Sequence, residues 1–356
     1  MDSTGYGIID EALERLERFG FESASAGATH APMVAETLCA LGRGDAVMSW
    51  IDSYAPRLEP RPRLAGRVGT ADWQPALGQF ELLGGWVGLF DQELSAKAWR
   101  GVLNQWLPRL APGMAAAALH GLIRTAHAAR ALGIVDAPQR RHELAQGLAY
   151  WAARYLALPG VAKSGGRVRP SQALSLLQTF PHEAGQPFPP DMITGLVGLY
   201  SFPAFNEAIN LVEDPGDPSR FLSDLTEEFA GAFITNEGGF SAAVAFLHSV
   251  MAPSAIRLLL PHVDPAVTRM LLRHCWQVTA GLYTAFGPVP HMTEISRPAP
   301  NVATLVDRAV QIGVKTSDPH VIKFAEACAR EYQLNASPLY LIAADLATRI
   351  LAEHPT

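Results

Sequence analysis

The stretch IIDEALERLERF, residues 8–19, shows a pattern that recurs along most of this chain. Its apolar residues Ile9, Leu13 and Leu16 are spaced by four and three positions, and charged residues fill most of the positions between them. This spacing places the apolar side chains on one face of an α-helix and the charged side chains on the other. The stretch therefore predicts a helix with one buried and one exposed side.

Similar helical patterns cover most of the remaining sequence, and the alternating pattern of β-strands is nearly absent. They predict helices over 32–52, 75–107, 112–132, 138–157, 170–179, 191–199, 219–232, 240–250, 265–286, 301–315, 319–332 and 337–353. Proline near the first turn supports several of these starts, at Pro32, Pro112, Pro265 and Pro319. The prediction is an all-α fold, a compact bundle of roughly a dozen helices of ordinary length, as a single domain over 1–356.

The composition indicates a large buried interior and excludes some functions. Of 356 residues, 49% are hydrophobic and 17% are charged, below the usual level of about a quarter. A net charge of −6 gives no basic surface for nucleic acid. Three cysteines without paired spacing favour a reducing compartment. With neither a signal-peptide pattern nor an uncharged apolar stretch of about 18 residues, we expect a cytoplasmic protein that does not span a membrane.

The breaks between predicted helices are rich in proline and glycine. One of them, GPVPHMTEISRPAP at 287–300, contains His291 and Met292. Because long loops in compact domains often cover binding sites, this loop is predicted to be a lid.

Two of the eleven histidines lie at predicted helix starts. His30 lies between Thr29, an expected helix cap, and a proline. His320 follows Asp318, also an expected cap, and a proline. The positive end of a helix dipole lowers the pKa of a nearby imidazole, and the neutral imidazole is the form that binds metals.

Two more histidines lie in apolar or small-residue surroundings. His120, in MAAAALHGLIRTAHAARAL at 114–132, follows small residues that let a ligand or another helix approach closely. His248 lies in an almost wholly apolar helix, where it must be neutral and must have a partner. With His30 and His320, they are candidate metal ligands from four separate helices, as in helix-bundle metal sites. The alternative is that each is an ordinary hydrogen-bonded core histidine.

Lys323 follows His320 by three residues and projects from the same helix face. One interpretation is that its stem packs while its amine reaches water. The other is that burial and nearby cationic groups lower the pKa of the amine. A neutral amine can take up carbon dioxide, and the carbamate that forms is an anionic oxygen ligand.

The sequence resembles the questin oxidase-like family over most of its length and in the family's order. The stretches that carry the resemblance are THAPMVAETLCALGR (29–43), ALHGLIRTAHAAR (118–130), FLHSVMAPSAIRLLLPHV (246–263), LLRHCWQVTAGLYTAFG (271–287) and DPHVIKFAEACAREY (318–332). The resemblance implies an all-α oxidoreductase that uses dioxygen to cleave a carbon–carbon bond of an aromatic polyketide such as an anthraquinone.

The resemblance also implies a cofactor. Some members look like non-haem Fe(II) enzymes, and the positions that match their ligands are His30, His120, His248, His320 and a possibly carboxylated Lys323. Other members act with a reduced nicotinamide cofactor, so the alternative is a metal-free or NADPH-dependent Baeyer–Villiger-type oxidase. This chain has no GxGxxG motif after a strand to hold such a cofactor. A third hypothesis is a non-enzymatic helical carrier of apolar aromatics.

Further side chains are candidates for handling the substrate. Arg124 lies four residues after His120 and is predicted to bind a phenolate or carboxylate, or else to pair with a surface acid. His127, seven residues after His120, is either an acid–base group or exposed. Spaced along one predicted helix, an aromatic set either lines a flat pocket or packs in the core: Trp276, Tyr283 and Phe286.

Overall fold

The computed structural model describes residues 6–23, 27–62, 66–163, 165–181, 188–236, 239–287 and 300–354. Within these ranges the chain forms fifteen α-helices, which confirms the predicted all-α bundle. The helices are α1 (Ile9–Leu16), α2 (Ala31–Ala40), α3 (Val47–Tyr54), α4 (Leu83–Ala96), α5 (Trp99–Leu110), α6 (His120–Ile134), α7 (Pro138–Ala153), α8 (Pro170–Leu174), α9 (Met192–Gly198), α10 (Pro218–Thr235), α11 (Gly239–Leu259), α12 (Pro265–Phe286), α13 (Val302–Thr316), α14 (Pro319–Leu334) and α15 (Pro338–Glu353). Two short strands, β1 (Phe19–Ser23) and β2 (Leu58–Pro60), pair antiparallel.

Two predicted helices are each divided in the structure. The predicted helix 32–52 is α2 and α3, because Gly42 after α2 adopts a left-handed φ of 71° that ends the helix. In place of the predicted helix 75–107, the structure has α4 and α5, and the first of them begins only at Leu83. The two helices are separated at Lys97, whose backbone is extended with φ −135° and ψ 157°. These divisions account for most of the difference between a dozen helices and fifteen.

Four helices pack against one another in a closed ring. In this ring α2 contacts α6, α6 contacts α11, α11 contacts α14, and α14 contacts α2. All four helices are buried around most of their circumference, polar side chains included, and helices buried in this way need neighbours on several sides. Each of the four also carries one of the histidines singled out above.

The helix α11 corrects one expectation from the sequence. The segment Gly239–His262 has a mean hydropathy of 1.6 and is long and apolar enough to cross a membrane, so the expectation that no such stretch exists is wrong. In the structure, 83% of its most apolar window is buried inside the protein. Its apolar character therefore agrees with its buried position as one of the four helices of the ring.

The predicted lid falls largely outside the described residues. Of the loop 287–300, residues 288–299, including His291 and Met292, are not described. The lid stays a prediction.

We predict that Gly121→Ala destabilises the protein, because α6 and α7 meet there with no space for a side chain. A methyl group on Gly121 would lie 2.7 Å from the Cα atom of Trp151. Overpacking of this kind costs about 1–3 kcal/mol. The matched control is Gly88→Ala in α4, where no atom lies within 4 Å of the added methyl group. The control should gain up to about 1 kcal/mol from helix propensity. Urea unfolding measures both changes, and a Gly121→Ala protein as stable as the control would contradict the prediction.

Candidate metal centre

The four histidines on the ring of helices place their imidazoles in mutual contact. The ring centroids of His30 and His120 are 4.6 Å apart, and so are those of His30 and His320. The centroids of His248 lie 5.0 Å from those of both His120 and His320. The ligand atoms of His30, His120 and His320 all lie within 4.8 Å of one another. We call this closed set of four imidazoles the histidine ring.

Two members of the histidine ring have a defined proton position. The Nδ1 atom of His120 lies 2.7 Å from the carbonyl oxygen of Ala117, and that of His248 lies 2.8 Å from the carbonyl oxygen of Val244. Because a carbonyl oxygen only accepts, both Nδ1 atoms must carry the hydrogen. Each neutral imidazole then presents a lone pair at Nε2.

The two lone pairs face each other, since the Nε2 atoms of His120 and His248 are 3.4 Å apart. Neither nitrogen has a proton to donate to the other while both rings are neutral, so the contact is repulsive unless a cation lies between them. Two imidazole nitrogens about 2.1 Å from one metal ion would lie about 3.0 Å apart at a ligand–metal–ligand angle of 90° and about 3.4 Å apart at the tetrahedral angle. The observed separation of 3.4 Å fits two nitrogens that bind one ion.

Two further polar atoms at the centre are buried and have no hydrogen-bond partner among the described residues. They are the Nδ1 atom of His30 and the Nζ atom of Lys323. A buried polar atom without a partner costs free energy, so such atoms in a folded protein call for an explanation. A metal ion held by the histidine ring would supply one. The donor set therefore fits a transition metal, because imidazole is a common ligand for zinc, iron, copper and nickel.

Burial keeps the histidine ring neutral. It lowers the pKa of all four imidazoles, and a charge on Lys323 or on neighbouring imidazoles would lower them further. For His248 the pKa falls to about 3. At neutral pH the four rings are therefore in the form that binds a metal ion.

Three helices begin at the histidine ring and direct their positive ends toward it. His30 is the N-cap residue of α2, so the predicted cap by Thr29 is wrong. His120 is the first residue of α6. His320 lies in the first turn of α14, where the side chain of Asp318 accepts its backbone N–H at 2.8 Å, as predicted. The convergence makes the centre electropositive and favours an anionic group beside the imidazoles.

A strained turn places His120. Residues Ala117, Ala118 and Leu119 have positive φ values of 47°, 52° and 73°. The left-handed conformation costs roughly 1–2 kcal/mol for each such residue. The predicted helix 112–132 is therefore wrong in its first half, because α6 begins only at His120. The turn presents the carbonyl oxygen of Ala117 to the imidazole, and such strain is often found at functional sites.

Lys323 lies close enough to the histidine ring that its charge would lower the pKa of all four imidazoles. Its side chain is 2% exposed, which argues against the interpretation that its amine reaches water. Burial lowers the pKa of the amine to about 7, although Asp318 opposes the shift. A large fraction of the amine is then neutral and nucleophilic at physiological pH.

Arg124 and His127 are both buried, so the alternatives that placed them at the surface are wrong in that respect, although Arg124 does pair with an acid, Glu143. Arg124 donates from Nε and Nη2 to Glu143 at 2.6 and 2.8 Å. His127 is 6% exposed, and its Nδ1 atom lies 2.6 Å from Glu36. The carboxylates of Glu143 and Glu36 therefore already bind the nitrogen atoms with which Arg124 and His127 would contact a substrate. The catalytic roles of Arg124 and His127 stay predictions.

The predicted aromatic set is divided between different neighbours. Trp276 is buried and donates from Nε1 to the carbonyl oxygen of Ala208 at 2.7 Å. Phe286 packs so closely on α9 that a methyl group on Gly195 would lie 2.6 Å from its ring. Tyr283 lies between α11 and α10, where its ring centroid is 6.3 Å from that of Phe246 and 6.4 Å from that of Phe229. For Trp276 and Phe286, these contacts agree with core packing.

The same helices carry a buried charged network that the sequence predictions do not include. It joins Glu36 of α2, Arg130 of α6 and Glu326 of α14, all buried. One signal was visible, because Glu36 is an acid inside the otherwise apolar run APMVAETLCA. Buried acids need partners, and such a position points to a cation on a neighbouring helix.

The fold and site together define an α-helical protein with a buried four-histidine centre. A family model described as questin oxidase-like matches residues 51–328, and the chain belongs to this family. The matched range contains His120, His248, His320 and Lys323, whereas His30 precedes it. Membership confirms the predicted resemblance and implies an oxidoreductase that acts on a small molecule with oxygen. No curated protein is significantly similar to the chain.

We predict that Lys323→Met raises the stability of the metal-free protein by a few kcal/mol at pH 7. The pKa of about 7 in the folded protein lies below the ordinary lysine pKa of 10.5, so the unfolded chain binds a proton that the folded chain partly lacks. This penalty is complete below pH 7 and disappears as the pH rises to about 10.5. The gain in the variant should therefore shrink between pH 7 and pH 10.

Thermal unfolding at several pH values measures this gain. Lys163→Met is the control, since Lys163 lies at the surface in an exposed pair with Glu207. Equal effects of the two substitutions at pH 7 would show that the amine of Lys323 is not desolvated.

Proposed function

We propose that this protein is an oxygenase that cleaves a carbon–carbon bond of an aromatic polyketide, such as an anthraquinone, with dioxygen. Its cofactor is a non-haem Fe(II) ion held by His30, His120, His248 and His320, with Lys323 carboxylated as a fifth, anionic ligand. Family membership supports an oxidase that acts on a polyketide-like small molecule.

The observation that carries the proposal is the facing pair of Nε2 atoms on His120 and His248, 3.4 Å apart. Their backbone hydrogen bonds fix both rings in the tautomer that presents a lone pair inward. A helical carrier of apolar molecules gains nothing from burying such a pair. An iron ion, when bound there, would supply the redox chemistry that lets dioxygen react with an organic substrate.

The carboxylation of Lys323 rests on its burial and its lowered pKa. The neutral amine adds to carbon dioxide, a C–N bond forms, and one proton is released. The carbamate carries one negative charge on oxygen, chemically like a carboxylate. It would face the positive ends of α2, α6 and α14, which stabilise an anion.

The protein's own groups would also act on the substrate. The four imidazoles are neutral, the carbamate carries one negative charge and the iron ion carries two positive charges. The net charge of the centre would therefore be close to a single positive charge. That charge, with the three helix N-termini, favours the phenolate form of a hydroxylated aromatic ring. Because the histidine ring is buried, water is largely excluded, and these electrostatic interactions are strengthened.

We predict that protein reconstituted anaerobically with Fe(II) consumes dioxygen with a hydroxyanthraquinone, and that His120→Ala abolishes this turnover. The control is His274→Ala, a half-buried histidine of α12 that pairs with Gln277 and lies outside the histidine ring. The control should retain turnover and iron, whereas His120→Ala should lose both. Oxygen uptake and bound iron are measured on the same samples.

Labelling with ¹⁸O₂ separates the competing mechanisms. A dioxygenase inserts both labelled atoms into the product and needs no external reductant. A Baeyer–Villiger-type oxidase inserts one atom and reduces the other to water at the expense of NADPH. Turnover with substoichiometric metal would contradict the iron centre, and tight binding of the aromatic without oxygen uptake would indicate a carrier.

A further inference from the structure

Arg130, on α6, connects this helix to α2 and α14 through hydrogen bonds. From α6 it donates through Nε and Nη2 to Glu36 of α2, at 2.6 and 2.5 Å. Through Nη1 it donates to Glu326 of α14 at 2.6 Å. One guanidinium group therefore links α2, α6 and α14, which carry His30, His120 and His320.

The link lies one to three helical turns from the histidine ring. Glu36 and Glu326 each follow their histidine by six residues, about 9 Å along a helix. Arg130 follows His120 by ten residues, about 15 Å along α6. Arg130 is therefore too far along α6 to touch a ligand held by the imidazoles, but it lies on the same rigid elements.

The network is buried and geometrically restrictive. Arg130, Glu36 and Glu326 are at most 6% exposed, and Tyr6 adds a hydrogen bond to Glu36 at 2.6 Å. A guanidinium group is planar, and its donors point in fixed directions, so both carboxylates must lie at fixed positions around it. A lysine ammonium group lacks this fixed geometry.

We propose that Arg130 is a positioning residue that holds α2, α6 and α14 at the separation that the histidine ring needs to bind a metal ion. This inference rests on the proposed metal centre. An apolar residue of similar size would serve a merely structural role at least as well, since buried ion pairs are often replaceable without loss of stability. The rigid guanidinium group of Arg130 also fixes the distances between the helices, and the geometry of a metal site depends on those distances.

The test is a titration of metal-free protein with Co²⁺, followed by its visible absorption spectrum, with Arg130→Lys as the variant. Lysine retains the charge but cannot reach both carboxylates in the same geometry. We expect at least about a tenfold loss of Co²⁺ affinity, the lower end of the loss that follows when metal ligands are no longer held in their correct orientation. We also expect an altered absorption band, because the ligands would no longer be held in the same arrangement.

The matched control is Arg140→Lys. Arg140 is 2% exposed and forms a paired contact with Asp10 of α1 at 2.7 and 3.2 Å. It also donates to the carbonyl oxygens of Ala131 in α6 at 2.9 Å and of Tyr6 at 3.2 Å. These contacts touch one helix that carries a member of the histidine ring, but they link no two such helices to each other. The control should lower the melting temperature of the metal-free protein about as much as Arg130→Lys does. It should leave Co²⁺ affinity and the spectrum unchanged.

Several outcomes would overturn the inference. One is an Arg130→Lys protein with unaltered Co²⁺ affinity and spectrum, and another is an equal loss of affinity in Arg140→Lys. If Arg130→Lys does not fold, Glu36→Gln takes its place, since it keeps the shape of the side chain and weakens the same link. Wild-type protein that binds no Co²⁺ would overturn both this inference and the proposed metal centre, whereas binding that ignores Arg130 overturns only the inference.

Discussion

The contact between the Nε2 atoms of His120 and His248 is the constraint on which the site depends. Both rings donate from Nδ1 to backbone carbonyl groups, so both present a lone pair to the same small space. Protonating one ring would remove the repulsion, but burial lowers the pKa of both imidazoles and opposes this solution. A bound metal ion, as proposed here, would resolve the conflict without placing a proton in the interior.

The electrostatics of the centre extend this argument beyond the imidazoles. The positive ends of α2, α6 and α14 point toward the histidine ring, and the buried Lys323 lies near it. A divalent cation at the histidine ring would make the electrostatic potential there still more positive. An anion is the natural complement. Carboxylation of Lys323 would provide one inside the protein, and a phenolate substrate would provide another. These charges support the proposed metal ion together with an anionic partner.

The surrounding helices are held together by buried arginines. Arg130 links α6 to α2 and α14, while Arg257 of α11 donates to Glu331 of α14 at 2.9 Å. All four helices that carry the histidine ring are therefore joined by charged hydrogen bonds as well as by apolar packing. The left-handed turn before His120 adds strain that this packed framework must offset.

Much of the fold could be predicted from the sequence, because apolar spacing and proline positions report directly on helices. The settings of His30, His248 and His320 were also visible locally. The turn at 117–119 was not, since an alanine run favours a helix and only tertiary contacts impose the left-handed conformation. Arg130 pairs with Glu36, which is 94 positions away in the sequence, and with Glu326, which is 196 positions away. Local sequence patterns do not reveal contacts over such separations.

Anomalous diffraction at the iron edge, from crystals of protein reconstituted with Fe(II), tests the central claim most directly. The account predicts one strong peak between the four imidazoles, within bonding distance of the Nε2 atoms of His120 and His248. Fully iron-loaded crystals with no peak in the histidine ring, or with iron bound only elsewhere on the protein, would contradict it.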